Sequence, residues 1–272
     1  MTSKLGIIGG GVMGEALISR LIAQRVYRPE EVIVSDPQTH RRSVLSQQYG
    51  VQVTGDNTLV ARAQEVLLLA VKPQVFAKVA EELAEIVGAV KEGLEPLVIS
   101  ILAGVPLSRL QAAFPGWPVI RAMPNTPATV GAGITAIAGG KYVQSSHLEQ
   151  ARRILLSVGD VVEIDESLMD AVTGLSGSGP GYVAILIEAL TDGGVYAGLP
   201  RAIATKLALQ TVLGTALLLQ ESGIHPAELK DRVTSPGGTT IAGIAQLERM
   251  GMRSALIEAV KAAAMRAQEL GS

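Results

Sequence analysis

Hydrophobic positions alternate between two kinds of segment along the first 165 residues. Short runs that are apolar at nearly every position are typical of strands buried on both faces, and longer amphipathic segments between them are typical of helices. The predicted strands are residues 5–8, 31–35, 66–71, 97–101, 119–122 and 134–138. The predicted helices are residues 12–24, 39–48 and 75–90. This alternation predicts βαβ units and a parallel sheet.

The pattern changes near residue 166, after which no strand is predicted. Helices are expected at residues 180–196, 201–220, 241–250 and 253–270. The segment 201–220 is apolar nearly all round, so it must be buried on several sides, and contact with a second chain explains this well. We therefore expect an α/β fold: a doubly wound parallel sheet in residues 1–165, followed by a smaller all-helical domain in residues 166–272.

Composition narrows the function classes. The 272 residues carry a net charge of −2 and no cysteine, which excludes disulfides, thiolate nucleophiles and Cys-ligated zinc. His40, His147 and His225 are far apart and form no metal-binding motif, so no metal is expected. Because there is no basic excess, neither nucleic acid nor an anionic membrane is an expected partner.

The N-terminus shows no signal-peptide pattern, because the apolar run from Leu5 is short and rich in glycine. No apolar stretch is expected to reach the ~18 residues that a membrane span requires. The best candidate, residues 182–190, is interrupted by Glu188. These features predict a cytoplasmic protein.

A glycine-rich turn follows the first predicted strand and opens the first predicted helix. Gly9, Gly11 and Gly14 fit the pattern GxGxxG in the context that dinucleotide binding requires. The first glycine permits a tight turn, the second lets the backbone approach a pyrophosphate, and the third lets helix and strand pack closely. The helix N-terminus offers N–H groups to that anion. The alternative is a turn that only permits tight packing.

The end of the second predicted strand should set the type of dinucleotide. Asp36 has nearly the spacing expected for an acid on a ribose 2′-OH, which points to NAD. Ser35 and Thr39 with Arg41 and Arg42 form a set that can hold the 2′-phosphate of NADP. Asp36 is equally well explained as a turn or N-cap residue before Pro37, so both coenzymes stay open.

Three further segments carry chemistry. Residues 70–73 and 121–127 each close a strand at the carboxyl edge of the sheet, where doubly wound folds bind ligands. Residues 235–240 have the sequence SPGGTT and precede a predicted helix. Two glycines, three hydroxyls and a helix N-terminus there make a carboxylate site without a positive side chain. An ordinary capped helix start is the alternative.

Together these motifs resemble the pyrroline-5-carboxylate reductase family. The matching segments, in the family's order, are GxGxMG at residues 9–14, AVKP at 70–73, RAMPNTP at 121–127, GLSGSGP at 174–180, EALTDGGVYAGLPR at 188–201 and DRVTSPGGTT at 231–240. The resemblance implies a Rossmann-type domain followed by a helical dimerisation domain. It also implies homodimers interlocked through the helical half and often assembled into larger rings, with each active site between the Rossmann cleft of one subunit and the helical domain of its neighbour.

The resemblance implies a site for NADPH or NADH and for a cyclic imine that bears one carboxylate. The residues expected to line the coenzyme are Gly9, Gly10, Gly11, Val12, Met13, Gly14, Ser35, Asp36, Asn57, Ala70, Val71, Lys72, Pro73, Ile101, Leu102 and Ala103. The residues expected near the substrate are Glu166, Thr173, Ser235, Gly237, Gly238, Thr239 and Thr240. Of these, Thr240 carries the hydroxyl expected nearest the ring nitrogen.

The implied reaction transfers a hydride to the imine carbon and gives proline. Because a protonated imine is already electrophilic, the absence of an evident His or Lys acid–base catalyst is expected. Glu188 and Asp192, four residues apart on one helix, are assigned structural or interface roles. A β-hydroxyacid dehydrogenase is a rival, but it needs a proton-handling Lys, and residues 180–196 contain none. The second rival, a redox sensor that holds NAD(P), has no use for the turn at residues 235–240.

Overall fold

In the computed structural model, which describes residues 3–91 and 95–271, eight strands form one sheet. They are β1 (Leu5–Ile8), β2 (Val32–Ser35), β3 (Gln52–Thr54), β4 (Val66–Leu69), β5 (Leu97–Ser100), β6 (Val119–Met123), β7 (Gly133–Gly139) and β8 (Gly159–Glu163). Their order is β3-β2-β1-β4-β5-β6-β7-β8, and only the β6–β7 pair is antiparallel. The doubly wound sheet predicted from the sequence is therefore confirmed. The chain reverses direction between β6 and β7, so that β7 and β8 run antiparallel to the other strands.

Helices of the described residues fall into two compact units. The first unit consists of two segments, the chain up to Gly177 and the chain from Ala263 onward. The second unit is Ser178–Ala262. Helices before Ser178 are α1 (Val12–Ala23), α2 (Thr39–Tyr49), α3 (Asn57–Val60), α4 (Phe76–Ala89), α5 (Leu107–Ala113), α6 (Ser145–Leu155) and α7 (Met169–Val172). Those after it are α8 (Gly179–Tyr196), α9 (Arg201–Ser222), α10 (Pro226–Arg232), α11 (Thr239–Arg249) and α12 (Met252–Gly271), the last of which continues into the first unit.

Both faces of the sheet are buried, which is why its central strands are apolar at every position. Alternate residues of β1 and β4 belong to two separate cores. Leu5 and Leu68 pack on the face covered by α1, α2 and α6, whereas Ile8 and Leu67 pack on the face covered by α4 and α5. Helices on both faces of a parallel sheet define the doubly wound architecture.

Two strands, β3 and β8, lie outside the sequence-predicted set. Both are at edges of the sheet, and their residues are largely exposed or half-buried. An edge strand contributes hydrogen bonds without burying two apolar faces, so it leaves little hydrophobic signal. All six predicted strands are present, and their limits differ from the expected ones by at most two residues at either end.

The second unit is built from helices that expose apolar side chains. α8 and α9 pack closely where a Cβ atom at Gly194 would lie 3.0 Å from the Cβ of Ala204. On α9 only Ala204 and Ala208 are buried, while Leu207, Leu209 and Leu213 are each half exposed. The nearly all-apolar helix predicted from the sequence is therefore present, and the single chain leaves most of it uncovered.

The expectation that no segment is apolar enough to span a membrane is wrong for this helix. By length and composition α9 could cross a bilayer, although the core helix of a globular protein passes the same test. The expectation was based on uninterrupted apolar runs. Lys206 and Gln210 interrupt such a run in α9, but the mean hydropathy of the helix is still high enough for a membrane span.

We predict that Leu68→Ala lowers the free energy of unfolding by about 2–5 kcal/mol, because it leaves a cavity in a fully buried strand. The matched control is Leu59→Ala in α3, where the side chain is 48% exposed; it should change stability by less than about 0.5 kcal/mol. Urea unfolding followed by the fluorescence of Trp117, the single tryptophan, measures both. Equal losses in the two variants would contradict the assigned core.

Candidate active site

The glycine turn between β1 and α1 lies where the strand order reverses. β1 is paired to β2 on one side and to β4 on the other, so the chain crosses over at this point. Doubly wound sheets bind ligands in the crevice outside the carboxyl ends of strands at such a reversal. Gly9 donates its N–H to Ser35 O (2.8 Å), and Ala70 donates to Ile8 O (2.8 Å). The three strand ends therefore meet around the turn.

Packing requires a glycine at two of the three motif positions in the turn and leaves the third unconstrained. Gly9 adopts φ +106°, and a Cβ there would lie 2.5 Å from the Ala70 carbonyl oxygen. A Cβ at Gly14 would lie 2.2 Å from the Gly9 carbonyl oxygen. At Gly11, by contrast, a Cβ would meet no described atom within 4 Å. Gly9 and Gly14 are thus required by packing, and Gly11 faces open space.

The start of α1 fits an anionic group of a dinucleotide. No side chain of the described residues caps this helix, so its first N–H groups are available to a ligand. Val12 is 72% exposed although it is apolar, and Met13 is half-buried. A pyrophosphate approaching the open side of Gly11 would meet uncapped N–H groups beside an apolar wall. These residues therefore fit the coenzyme that the motif predicts.

Asp36, at the end of β2, holds the glycine turn. Its Oδ2 accepts the N–H of Gly10 (3.0 Å), and its Oδ1 accepts the N–H of Gln38 (2.8 Å). The residue is 9% exposed. The structure therefore gives Asp36 the turn-forming role that the sequence offered beside ribose binding.

The two arginines that follow have different partners. Arg41 Nη2 donates to Gly10 O (2.6 Å) and to Glu15 Oε2 (2.6 Å). Arg42 Nη1 donates to Asp36 O (2.8 Å) and Pro37 O (3.0 Å), and its Nη2 donates to Thr39 Oγ1 (3.0 Å). Arg41 thus contacts the glycine turn, whereas Arg42 shapes the loop of β2 itself.

Ser35 and Asn57, both predicted to line the coenzyme, are in direct contact. The Ser35 hydroxyl donates to Asn57 Oδ1 (2.7 Å), and Asn57 Nδ2 donates to Glu82 Oε2 (2.7 Å). The sequence did not single out Glu82, because it looks like any exposed residue of the amphipathic helix α4. Only the tertiary structure brings this carboxylate to the chain of hydrogen bonds.

Residues after β4 and β5 share the same edge of the sheet. Ile101 donates its N–H to Leu69 O (3.1 Å), so the segment 101–103 lies beside the segment 70–73. Val71 and Pro73 are half-buried and Lys72 is exposed, so the strand end presents mainly backbone and apolar surface. The side chain of Leu102 is buried in the core, and Ala103 is exposed. Only backbone atoms of Leu102 can therefore reach a ligand.

Glu166 and Thr173 belong to the first unit. Glu166 Oε1 accepts hydrogen bonds from Arg121 Nη1 (3.0 Å) and from Leu107 N (2.6 Å), which compensates the buried guanidinium of Arg121. The Thr173 hydroxyl donates to Met169 O (2.9 Å) at the start of a π-helical turn, Thr173–Gly177. The sequence did not predict this ion pair, because 45 residues separate its two partners.

Asn125 of the RAMPNTP segment joins parts of the same unit. Its Nδ2 donates to Ser176 O (3.2 Å), and its Oδ1 accepts the N–H of Ile134 (3.0 Å). Two motifs distant in sequence, residues 121–127 and 174–180, are therefore tied together by one amide side chain.

The turn at residues 235–240 lies in the second unit and ends at the start of α11. Gly237 has φ +67°, and Gly238 donates its N–H to Ser235 O (3.0 Å). No described side chain caps α11, and Ser235 and Thr239 are exposed. Uncapped N–H groups with neighbouring hydroxyls can bind one small carboxylate without any cationic side chain.

Two other expectations concern charged groups. Among residues 3–91 and 95–271, no group of three or more His, Asp or Glu side chains is arranged to hold a metal ion. Asp192 forms an ion pair with Arg201 of the next helix. This contact accords with the structural role assigned to Asp192.

Two protein families match the chain. Residues 166–270 match the family described as pyrroline-5-carboxylate reductase dimerisation, and residues 4–104 match the family described as NADP oxidoreductase coenzyme F420-dependent. A pyrroline-5-carboxylate reductase of Synechocystis is 63% identical over 271 residues, which cover 100% of this chain and 99% of the relative.

Solved structures agree with the sequence relatives. A pyrroline-5-carboxylate reductase of Coxiella burnetii is 35% identical with a TM-score of 0.91, and the match covers 100% of both chains. A pyrroline carboxylate reductase of Plasmodium falciparum, solved with NADP bound, is 31% identical with a TM-score of 0.87, covering 99% of this chain and 98% of that one.

We predict opposite behaviour for alanine at two glycines of the turn. Gly11→Ala should leave the thermal unfolding midpoint unchanged, because its Cβ meets open space, yet weaken NADPH binding about tenfold or more by blocking the pyrophosphate. Gly14→Ala should lower the midpoint, because its Cβ collides with a backbone oxygen. Calorimetry measures the midpoint, and fluorescence titration measures NADPH binding.

The control is Gly88→Ala in α4, where a Cβ also meets open space, and this variant should retain NADPH binding. Full NADPH binding by Gly11→Ala would contradict the proposed pyrophosphate site.

Proposed function

The chain belongs to the pyrroline-5-carboxylate reductase family, and from this we propose how its residues carry the family's reaction. The protein is an NAD(P)H-dependent oxidoreductase that reduces 1-pyrroline-5-carboxylate to L-proline, the last step of proline biosynthesis. The observation that carries the assignment is the pairing of two different sites in one chain. One is a glycine turn open at Gly11. The other is the turn at residues 235–240 with the uncapped N-terminus of α11, which suits a single carboxylate.

The coenzyme site is proposed to comprise the strand ends around the glycine turn. The backbone of residues 9–14 binds the pyrophosphate, while Ser35, Asp36 and Asn57 lie toward the adenosine half. Residues 70–73 and 101–103 form the wall on the other side of β1, at the ends of β4 and β5. When bound, the reduced nicotinamide supplies the hydride that the imine carbon accepts. Residues 1–165 are the proposed dinucleotide-binding domain.

The carboxylate of the imine is proposed to bind at residues 235–240, in a substrate-binding and dimerisation domain that spans residues 166–272. Backbone N–H groups of Gly237 and Thr239 and the Ser235 hydroxyl are proposed to face this anion, while Gly238, whose N–H donates to Ser235 O, shapes the turn. A site made of dipoles orients one carboxylate without adding a full positive charge beside a cationic imine. That electrostatic balance explains the lack of Lys or Arg within the turn.

Thr240 is the proposed catalytic residue. We propose that its hydroxyl lies nearest the ring nitrogen, accepts a hydrogen bond from the protonated imine and so orients the ring. The nitrogen already carries its proton, so addition of the hydride to carbon leaves a neutral secondary amine, and no side chain needs to supply a proton. Glu166 and Thr173 are proposed to act near the substrate, with Glu166 held by Arg121.

A β-hydroxyacid dehydrogenase is disfavoured because α8 contains no Lys to manage the proton of a hydroxyl group. A redox sensor is disfavoured because it has no need of the second, carboxylate-binding turn.

The dimerisation match at residues 166–270 supports a homo-oligomer formed through the helical part. We propose that a second copy of the chain, rather than lipid, covers the apolar faces of α8 and α9. A larger ring of dimers and a cytoplasmic location, without membrane or nucleic-acid partners, complete the proposal.

We predict that the purified protein oxidises NADPH or NADH only when 1-pyrroline-5-carboxylate is added. The decrease in absorbance of the reduced nicotinamide, recorded with each coenzyme in turn, measures turnover. The comparison also ranks the two coenzymes. No turnover with either coenzyme would overturn the assignment.

We further predict that Thr240→Ala lowers kcat about 10²-fold while the dissociation constant of the coenzyme stays within about twofold, as expected when one positioning contact is lost. Thr240→Ser, which keeps the hydroxyl, should recover most of the activity. Steady-state kinetics and coenzyme titration measure the two effects. Weaker coenzyme binding with unchanged kcat would show that the hydroxyl serves another site.

A further inference from the structure

The peptide groups on both sides of the Gly10 α-carbon are held by side chains from the segment after β2. The N–H of Gly10 donates to Asp36 Oδ2 (3.0 Å), while its carbonyl oxygen accepts from Arg41 Nη2 (2.6 Å) and Nε (3.1 Å). A Cβ at Gly10 would lie 2.5 Å from Leu45 Cδ1 of α2. Gly10 is therefore clamped from three directions.

The direction of this clamp matters because a trans peptide is planar. The carbonyl of Gly10 and the N–H of Gly11 belong to one peptide group and point in opposite directions. Since Arg41 binds the carbonyl, the N–H of Gly11 is directed to the other side of the turn. This N–H donates to no described residue, and a Cβ built at Gly11 would meet no described atom within 4 Å outside the neighbouring residues, so the turn is open at Gly11.

Arg41 also balances a charge next to the site. Glu15 lies in the first turn of α1, and its carboxylate accepts from Arg41 Nη2 (2.6 Å) and from the Tyr49 hydroxyl (3.1 Å). The side chains of Arg41 and Glu15 are 25% and 27% exposed, so solvent screens the pair only in part. Without Arg41 a carboxylate would face an approaching pyrophosphate at the helix N-terminus.

We propose that Arg41 is a positioning residue for the coenzyme's pyrophosphate, and not the ligand of a 2′-phosphate. This inference rests on the coenzyme site proposed above and gives its two arginines different roles. Arg41 aims the Gly11 N–H at the pyrophosphate and neutralises Glu15. Since NADH and NADPH share the pyrophosphate, Arg41 acts equally on both coenzymes.

The test compares binding of NADH and NADPH to the full chain carrying Arg41→Met, by fluorescence titration. We expect both dissociation constants to rise by about tenfold, because the Gly11 N–H loses its orientation and the Glu15 carboxylate loses its counter-charge, with the ratio of the two constants unchanged within about twofold. At saturating coenzyme, kcat and the KM for the imine should stay near wild type. A purely structural loss would not produce this split.

Two further variants complete the test. Arg41→Lys keeps the charge but cannot reproduce the forked contact with Gly10 and Glu15, so we expect a smaller loss that is again equal for both coenzymes. Arg28→Met removes another guanidinium paired with a glutamate, at the opposite, amino-terminal end of β2, and should bind both coenzymes as wild type does.

The outcomes separate the two levels of the proposal. A loss of binding confined to NADPH would overturn the positioning role and make Arg41 a 2′-phosphate ligand. Unchanged binding of both coenzymes would overturn any role of Arg41 in the site. If the wild-type protein bound neither coenzyme, the proposed coenzyme site itself would fail, and the inference with it.

Discussion

The close approach of the β1–α1 turn to the end of β4 is the constraint on which the first unit depends. Gly9 must adopt a positive φ, and its backbone lies too near Ala70 to accommodate a side chain. Gly14 must lack a Cβ for the helix to start beneath the Gly9 carbonyl. Because these contacts are between backbone atoms, no repacking of side chains relieves them. They place the N-terminus of α1 at the reversal of strand order, where a ligand can reach it.

The segment after β2 adds hydrogen bonds that fix the conformation of the same turn. Asp36 binds the N–H of Gly10 and Arg41 binds its carbonyl oxygen, so the peptide at the proposed coenzyme site is oriented before a ligand arrives. Preorganised dipoles stabilise a bound anion without the cost of reorienting it on binding. The same loop borders the adenosine half of the proposed site, and it therefore links coenzyme selection to the geometry of the phosphate site.

The second unit depends on a different interaction, the burial of apolar helix surface. A single chain buries few residues of α8 and α9, although both helices are rich in leucine, isoleucine and alanine. Apolar surface of this extent on a globular protein marks an interface. The turn before α11, the proposed carboxylate site, lies in the same unit as the surface proposed to pair. The proposal therefore assigns both assembly and substrate binding to one helical unit.

Sequence by itself determined the features that arise from local chemistry. The apolar runs of β1 and β4, the glycine spacing and the hydroxyl-rich turn at residues 235–240 each have a signature within a few residues, because strand burial, turn geometry and helix starts are local. Tertiary structure alone decided the edge strands β3 and β8, the Arg121–Glu166 ion pair and the choice of Gly10 as the partner of Arg41. Edge strands bury too little to leave a hydrophobic pattern. The paired side chains are brought together by the order of the strands, which no spacing along the chain records.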